Sequence, residues 1–435
     1  MKIAMFTNTF SPHVGGVARS VQGLADELRR LDHHVLVVAP RFSDKDEDEK
    51  DVLRMPAVQN FNGSDFSLPV PAPVKVAHAL RLFSPDIIHS HHPFLLGETA
   101  LRVAVSCSAP VVFTHHTRYE QYTHYLPGGD SEPLKHFVID LVNGYCNLCN
   151  MIVAPSNSIA DILRAQKVKT PIEVIPTGID PLFFAGQDRV SSRQRLGIPE
   201  DAFVVGHVGR LAPEKNLFFL MNFVVEYLLR NPAAHFLLVG EGPAKEQMLE
   251  ILHHRDLMSR THLQGVLDRS SLVDAYRTMD TFVFASQSET QGMVLAEAMA
   301  AGTPVVALDA PGVREIVNDG INGRLLMTEE TGSFAAALAW LAGLSHERGV
   351  QLRQNACRSA EEYSQENCVR KMVGLYSTLV GRLPSLQELE ENPWQRARKR
   401  IRKELEILGN YGHALEDTLQ WLPMRRKSRE PDIDR

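Results

Sequence analysis

Two carboxylates frame the start of a predicted helix within the segment 286–302. Glu289 lies in a polar loop after an apolar run, and Glu297 lies about two turns into a helix that otherwise carries mainly Ala and Met. The helix is expected to begin between Thr290 and Gly292, where unpaired backbone N–H groups suit a phosphate. Glu297 alone would be an ordinary, partly exposed helix carboxylate. Two acids around this helix start instead indicate an anion-binding site at the end of a strand.

Two cations follow another apolar run. Gly209 directly follows the apolar run 204–208, and Arg210 and Lys215 lie in the loop after it. Glycine lets the backbone approach a ligand closely, and two neighbouring cations suit a diphosphate. Isolated basic residues on a loop are usually solvated, but the strand–turn–helix context favours a binding role. The loop is therefore predicted to hold a diphosphate group.

The loop after the first predicted strand ends in a glycine pair. Gly15 and Gly16 lie directly before a helix expected from Val17 to Leu31. Such a pair makes room for a phosphate or a sugar against the backbone. It is equally typical of a tight turn between a strand and a helix. The glycines alone leave both interpretations open.

Aromatic and imidazole side chains cluster after the run Val112–Thr114. Such a cluster fits the edge of a core, but hydroxyl and imidazole groups are costly to bury without partners. It is therefore a candidate surface for contacts with a ligand. Its members are His115, His116, Thr117, Tyr119, Tyr122, His124 and Tyr125.

Two segments invite a metal-binding interpretation. His89, His91 and His92 lie in one short run, but no carboxylate or thiol has matching spacing. The acidic run Asp44–Asp48 lies in a charged loop where solvation is the ordinary state. We predict neither a metal nor any other cofactor. The five cysteines indicate reduced thiols, and Cys146–Cys149 falls late in an apolar helix, where a structural role is expected.

Short runs rich in Val, Ile and Phe alternate with longer segments of helical period. Each run has the length and the continuous apolar character of a parallel strand covered on both faces. The pattern restarts after Asp180, so the 435-residue chain is predicted to form two doubly wound α/β sheets. Ligands are expected in a cleft, beyond the carboxyl ends of the strands. The runs are 3–6, 35–38, 87–89, 111–114, 152–154, 173–175, 204–208, 236–239, 262–263, 281–284, 304–307 and 323–326, with helices at 217–231 and 272–279.

The breaks in this pattern give the domain organisation. We predict a first domain at 1–180, a second at 181–365, further helices at 366–392 and a basic amphipathic tail at 393–435. Pro and Gly residues and solvated arginines between 178 and 199 mark the boundary.

The tail differs in charge from the rest of the chain. The whole chain carries a formal charge of −6, whereas Trp394–Arg435 holds 11 Lys and Arg against 7 Asp and Glu. A basic helix with Trp and aliphatic residues suits an anionic membrane surface, and the alternative is a solvated helix packed against the body. No motif that reads nucleic-acid bases accompanies the basic residues. No apolar stretch approaches a membrane span and the N-terminus reads as a strand, so we expect a cytoplasmic protein that is peripheral on the inner face of the membrane.

Together these motifs resemble the retaining glycosyltransferases of family 4, which have the GT-B fold. The resemblance extends to about Arg382 and includes Gly240-Glu241-Gly242-Pro243 as well as the segments above. It implies two Rossmann-like domains facing a cleft, with the acceptor side first and the donor side second. It also implies that the helices at 366–392 cross back to the first domain.

The resemblance assigns expected roles to the candidate residues. His116 would contact the transferred sugar near its reacting carbon, Glu289 the donor hexose and Glu297 the ribose hydroxyls, while Arg210 and Lys215 would hold the diphosphate. The segment near Val266 would read the base. The other expected donor contacts are Gly15, Gly16, Gly209, Thr290, Gln291 and Gly292, and the expected acceptor contacts are Thr117, Tyr119, Tyr122, His124 and Tyr125.

Within that family, the run from Val112 to Tyr125 resembles that of bacterial enzymes that glucosylate diacylglycerol. The resemblance implies transfer of a hexose, with glucose from UDP-glucose expected, to a membrane lipid, with 1,2-diacylglycerol expected. Alternatives are transfer to a soluble sugar or a polyprenyl carrier, epimerisation of a UDP-sugar, and a non-catalytic membrane scaffold. The intact pairs of acids and cations argue against the scaffold.

Overall fold

The computed structural model describes residues 1–13, 15–42, 49–59, 67–70, 73–125, 129, 131–185, 189–381 and 393–427, without the side chains of 73–74, 393–397 and 419–427. The acidic run 44–48, the side chain of Trp394 and the interval 382–392 therefore lie outside the described residues. The chain forms two compact units, one made of Met1–Pro176 with Cys368–Arg435 and the other of Thr177–Asn367. None of the described helices is long and apolar enough to cross a membrane.

The first unit contains a seven-stranded parallel sheet of order β3-β2-β1-β6-β7-β8-β9. The six predicted apolar runs of this unit form six of its strands, and β3 was not predicted. The strands β4 and β5 form a separate antiparallel pair. The strands are β1 (Lys2–Phe6), β2 (His34–Pro40), β3 (Val52–Met55), β4 (Ala57–Val58), β5 (Leu68–Pro69), β6 (Ile87–Ser90), β7 (Val111–Thr114), β8 (Met151–Ala154) and β9 (Ile172–Val174).

Helices and a 3-10 helix connect these strands. They cover the sheet because their apolar faces pack on its buried side chains. The helices are α1 (Gly16–Arg30), α2 (Pro73–Phe83), α3 (Leu96–Cys107), α4 (Glu132–Leu148) and α5 (Asn157–Ala165), and the 3-10 helix is Tyr119–Tyr125.

The second unit has a six-stranded parallel sheet of order β12-β11-β10-β13-β14-β15. The two parallel sheets confirm the predicted fold class. The strands are β10 (Phe203–Val208), β11 (Ala234–Val239), β12 (Thr261–Leu263), β13 (Thr281–Phe284), β14 (Val305–Leu308) and β15 (Gly323–Leu326). The helices are α6 (Pro181–Phe184), α7 (Arg189–Arg195), α8 (Leu217–Arg230), α9 (Lys245–His254), α10 (Arg269–Thr278), α11 (Met293–Ala300), α12 (Thr331–Ala342) and α13 (His346–Glu362), with 3-10 turns at Pro213–Lys215 and Met258–Arg260.

The change of unit comes four residues earlier than the expected boundary at 180. The backbone N–H of Thr177 donates to Oε1 of Gln291 at 2.5 Å, and its carbonyl accepts from Nε2 at 2.7 Å. Ile179 then exchanges backbone hydrogen bonds with Tyr363 and Gln365. These bonds tie the segment after Pro176 into the second unit.

The chain returns to the first unit through α14 (Gln365–Val380). From Cys368 onward this helix closes a core that also contains side chains of β1, β2 and α1. Tyr376 of this helix is fully buried, and its hydroxyl lies 2.6 Å from Nδ1 of His89 on β6, in hydrogen-bond contact. The helix is therefore an integral part of the first unit.

The last helix, α15 (Pro393–Lys427), packs on α4 and α3 of the first unit. Ile407 and Ala414 are its buried aliphatic positions. Asn410 donates to the carbonyl of Leu141 at 3.0 Å, and a Cβ on Gly144 would lie 1.4 Å from Oδ1 of Asn410. The glycine therefore allows this close approach of the two helices.

Candidate functional site

Three loops of the second unit meet at the carboxyl ends of β10, β11 and β12. The N–H of Gly209 donates to the carbonyl of Val239 at 3.1 Å, and the N–H of Gly240 donates to the carbonyl of Gly265 at 2.7 Å. Gly240 has a φ of +132°, and a Cβ there would lie 1.9 Å from the Gly209 carbonyl oxygen. The loops thus form a continuous backbone surface, and Val266 presents an exposed side chain beside it.

Lys215 and Glu289 form an ion pair at this edge of the sheet. Nζ of Lys215 donates to Oε1 of Glu289 at 2.5 Å, and both side chains are mostly buried. Ser286 Oγ donates to the same carboxylate oxygen at 3.0 Å. The two predicted ligand-binding residues are 74 positions apart and meet because β10 and β13 are neighbours in the sheet.

The ion pair keeps Glu289 ionised. Burial by itself would raise the pKa of this carboxyl, but the charge of Lys215 and the hydrogen bonds from Lys215 and Ser286 outweigh it and hold the pKa below its ordinary value. Arg210 lies on the same loop as Lys215 and is exposed. Cationic and anionic groups therefore occur together at the predicted donor position.

The helix at the predicted phosphate site begins later than expected. Gly292 adopts a left-handed conformation with φ of +75°, and α11 begins at Met293. Glu297 consequently lies about one turn into the helix rather than two. Gly312 packs closely against the backbone before this helix, because a Cβ on Gly312 would lie 2.6 Å from the backbone N of Gln291.

Gln291, a predicted donor contact, also makes a structural contact that was not predicted. Its buried amide is engaged at both ends by the backbone of Thr177. Its side chain therefore fixes the loop to the start of the second unit. Thr290, the neighbouring predicted contact, is half-buried.

Glu297 is buried rather than partly exposed. Its Oε2 accepts a hydrogen bond of 2.8 Å from the hydroxyl of Tyr276, which is itself fully buried on α10. A buried carboxylate needs such partners, so its orientation is set by the core of the unit. The ordinary interpretation of Glu297 as a solvated helix residue is wrong.

His207 is a buried polar residue of this region for which no role was predicted. It is the penultimate residue of β10, and its Nδ1 donates to the carbonyl of Val283 at 3.0 Å. This bond places the proton on Nδ1, and burial lowers the pKa of the ring to about 4. Its Nε2 has no hydrogen-bond partner among the described residues. The signal in the sequence that could have identified His207 is its position as a polar residue in an otherwise apolar strand.

In the first unit, His116 pairs with His91. Nε2 of His116 and Nδ1 of His91 are 3.0 Å apart, and the rings stack with centroids 5.2 Å apart. Burial and the neighbouring histidines hold the pKa of both rings well below the ordinary value. Two neutral rings in a hydrogen bond share one proton between the facing nitrogens, so the tautomers of the two residues are coupled.

A buried chain of hydrogen bonds supports this pair. His89 bonds to Tyr376 through Nδ1 and to the hydroxyl of Thr114 through Nε2 at 2.7 Å. Burial lowers the pKa of His89 to about 3. The His89 ring also lies 4.1 Å from that of His91. His89, His91 and His116 therefore form a packed network of neutral rings.

The predicted acceptor residues separate into two groups. Tyr119 packs edge-on against Phe94 at 5.4 Å and joins the core. Tyr122, His124 and Tyr125 instead stack on one another, with the His124 and Tyr125 centroids 4.1 Å apart. Thr117, just before the 3-10 helix, is half-buried.

The glycine pair lies at the start of α1. Gly15 precedes the helix in an extended conformation, and Gly16 is its first residue, one position earlier than expected. A Cβ on Gly16 would meet no described atom within 4 Å. Among the described residues, no neighbouring atom requires glycine at position 16. The open space beside it is compatible with a bound ligand.

The two cysteines of the predicted structural pair are buried. Burial raises the pKa of both Cys146 and Cys149, so these thiols are protonated core residues. Across the described ranges, no group of three or more His, Cys, Asp or Glu side chains is placed to hold a metal ion.

Comparisons with known proteins agree with this geometry. Residues 14–182 match the model of "Glycosyltransferase Family 4", and residues 188–359 match that of "Glycosyl transferases group 1". The chain is 30% identical to the alpha-monoglucosyldiacylglycerol synthase of Streptococcus pneumoniae over 76% of each protein. It is 27% identical to a GDP-mannose-dependent alpha-mannosyltransferase of Corynebacterium glutamicum, over 87% of this chain and 89% of that protein.

A solved structure supports the fold independently. The Anabaena protein Alr3699/HepE, determined in complex with UDP, superposes with a TM-score of 0.70 at 20% identity. The superposition covers 87% of this chain and all of that one. The chain therefore belongs to glycosyltransferase family 4 and has the GT-B fold.

Proposed function

We propose that this glycosyltransferase transfers glucose from UDP-glucose to a membrane lipid, with 1,2-diacylglycerol as the acceptor. The observation that carries the proposal is the partly buried Lys215–Glu289 pair, with Arg210 on the same loop. This arrangement offers cations to a diphosphate and a carboxylate to sugar hydroxyls. The similarity to a monoglucosyldiacylglycerol synthase supports both the hexose and the lipid.

The proposed reaction retains the configuration of the anomeric carbon. The bond between this carbon and the leaving phosphate oxygen breaks, and the acceptor hydroxyl oxygen bonds to the carbon from the same face. The hydroxyl proton passes to the leaving phosphate oxygen, so no protein base is needed. Arg210 and Lys215 stabilise the charge that grows on the leaving diphosphate, which is where electrostatic stabilisation has most effect.

His116 contacts the transferred sugar in this proposal. Its ring is neutral and its Nε2 faces His91, so it acts as a hydrogen-bonding group rather than as a cation. The stacked Tyr122, His124 and Tyr125 offer apolar faces to the acceptor. An enzyme with a lipid acceptor works at a membrane surface, so we place the protein on the inner face of the cytoplasmic membrane.

A screen of donors and acceptors tests the proposal. The full-length protein is incubated with UDP-glucose, other UDP-hexoses or GDP-mannose, and with dioctanoylglycerol in mixed micelles, a soluble sugar or no acceptor. We expect UDP release and an organic-phase product only with UDP-glucose and the lipid. Lys215→Met and Arg210→Ala should slow release by about 10²-fold or more, whereas exchange of the exposed Arg164 for Ala should leave it unchanged.

Each other outcome identifies an alternative. Product from GDP-mannose would replace glucose by mannose, as the similarity to a mannosyltransferase allows. Product in the aqueous phase would replace the lipid by a soluble acceptor. Conversion of the donor without an acceptor would indicate an epimerase, and failure to turn over any donor would refute the enzymatic proposal.

A further inference from the structure

One face of helix α15 packs against the first unit. Ile407, Asn410 and Ala414 point into that contact, and Lys403 is largely covered. Polar bonds fasten the same helix along its edge: Arg102 donates to Glu404 at 2.9 Å, and Tyr411 donates to Glu98. The orientation of the helix about its own axis is therefore set by the body of the protein.

A stripe of aliphatic side chains lies on another face of the same helix. Ile401, Leu405, Leu408 and Leu415 have exposed fractions of 62%, 64%, 64% and 54%. Their spacing of four, three and seven residues keeps them on one side of a helix with 3.6 residues per turn. The intervening position on that side is Gly412, which adds no polar group. The stripe points away from Ile407 and Ala414, because the helical period separates the two sets.

Arginines border the first part of this stripe on one side. At about 100° per residue, Arg398 and Arg402 lie beside Ile401 and Leu405. Both arginines are exposed, and Arg402 retains 81% of its side-chain exposure. Glu406 offsets part of the charge, because it pairs with Arg402 at 3.1 Å and with Lys403 at 2.9 Å. Over the whole segment 398–408 the sequence holds five cations and two carboxylates, so this end of the helix is net positive. An apolar stripe with a net positive border fits acyl chains below anionic headgroups.

We infer that the outward face of α15, defined as Ile401, Leu405, Leu408 and Leu415 with Arg398 and Arg402, docks the protein on an anionic bilayer surface. The helix would lie parallel to the membrane, held in that orientation by its inward contacts. This inference rests on the proposed function, transfer to a membrane lipid, and adds to it the surface that contacts the membrane.

A second copy of the chain fits this face less well. The stripe is about 21 Å long, from fourteen residues at 1.5 Å each, and about 10 Å wide. Its area of roughly 200 Å² is about a quarter of the roughly 800 Å² that each partner contributes to an ordinary protein interface. An apolar contact between two stripes would also make no use of the exposed arginines at its border. A fluid bilayer has no such minimum area, because lipids close around the helix.

The test is co-sedimentation of the full chain with vesicles that contain phosphatidylglycerol or only phosphatidylcholine. The double variant Leu405→Gln/Leu408→Gln should bind the anionic vesicles at least tenfold more weakly than the wild type. Leu82→Gln/Leu182→Gln is the matched control, because these two leucines are 75% and 84% exposed elsewhere in the protein. It should bind as the wild type does. Arg398→Gln/Arg402→Gln should weaken binding and reduce its dependence on salt.

Defined results would overturn the inference. Wild-type binding by Leu405→Gln/Leu408→Gln, with an unchanged melting temperature, would remove the stripe from the contact. A wild-type dimer that this variant converts to a monomer would assign the face to a second copy. Transfer to dioctanoylglycerol in micelles is measured separately: binding without any transfer leaves the docking surface intact and refutes the proposed function, and transfer without binding does the reverse.

Discussion

Replacing Glu289 by Gln is expected to strengthen UDP binding while it weakens sugar transfer. In the free protein Nζ of Lys215 is 2.5 Å from the carboxylate, so its charge is largely compensated. A diphosphate oxygen about 2.8 Å from Nζ would lie at most about 5.3 Å from the Glu289 oxygen. Repulsion between unit charges at that distance is about 3 kcal/mol at an effective dielectric constant of 20 and about 0.8 kcal/mol at 80.

Removal of this repulsion corresponds to a gain in UDP affinity between about fourfold and about 150-fold, and we expect a gain of roughly tenfold. Titration calorimetry of UDP into the wild type and Glu289→Gln measures the two affinities. Lys215→Met is the control, and it should bind UDP more weakly than the wild type. Turnover of UDP-glucose should fall, because the carboxylate no longer contacts the hexose hydroxyls. Unchanged or weaker UDP binding by Glu289→Gln would refute the assignment of Lys215 to the diphosphate.

Three further predictions concern other parts of the site. Arg210→Ala should lower kcat by about 10² to 10³, whereas Glu297→Gln, which still accepts from its tyrosine partner, should mainly raise KM; equal losses confined to KM would contradict this. The pKa values of His89 (about 3) and His115 (about 4) lie below 6.5, so the folded state binds fewer protons than the unfolded state. Stability present above pH 6.5 should therefore be lost as the pH falls towards 4, by about 1.4 kcal/mol per pH unit for each ring. Urea unfolding at pH 7, 6 and 5 measures this loss. The unfolding free energy should depend less steeply on pH in His89→Asn than in the wild type. Gln291→Leu should cost about 1 to 3 kcal/mol of unfolding free energy by removing the two hydrogen bonds between its amide and the Thr177 backbone. A large loss of UDP affinity at unchanged thermal stability would instead assign Gln291 to the donor.

The strands were predictable wherever apolar character was continuous. β3 was missed because Arg54 lies within its four residues. The arginine is buried, and its guanidinium donates to the carbonyls of Pro40 and Ser11. Those acceptors are brought close only by the folded sheet. A local pattern therefore cannot reveal the strand.

The candidate site was predictable as a set of residues but not as a set of contacts. Lys215 and Glu289 each follow a strand, yet only the order of the sheet makes their loops neighbours. The use of Gln291 to hold the backbone of Thr177 likewise depends on a contact across 114 positions. The late start of α11 depends on the left-handed backbone of Gly292, a conformation that glycine permits but does not require.

The discontinuous first unit has a consequence for the order of events during synthesis. Residues 1–176 leave the ribosome first, but their core lacks Val369, Met372 and Tyr376 until nearly the whole chain has been made. The second unit is continuous from Thr177 to Asn367 and is the first to have all its residues available. Until α14 arrives, His89 has no phenol to bond and an apolar surface of β1 and β2 stays uncovered. The nascent segment 1–176 is thus expected to need protection by chaperones until α14 has been made.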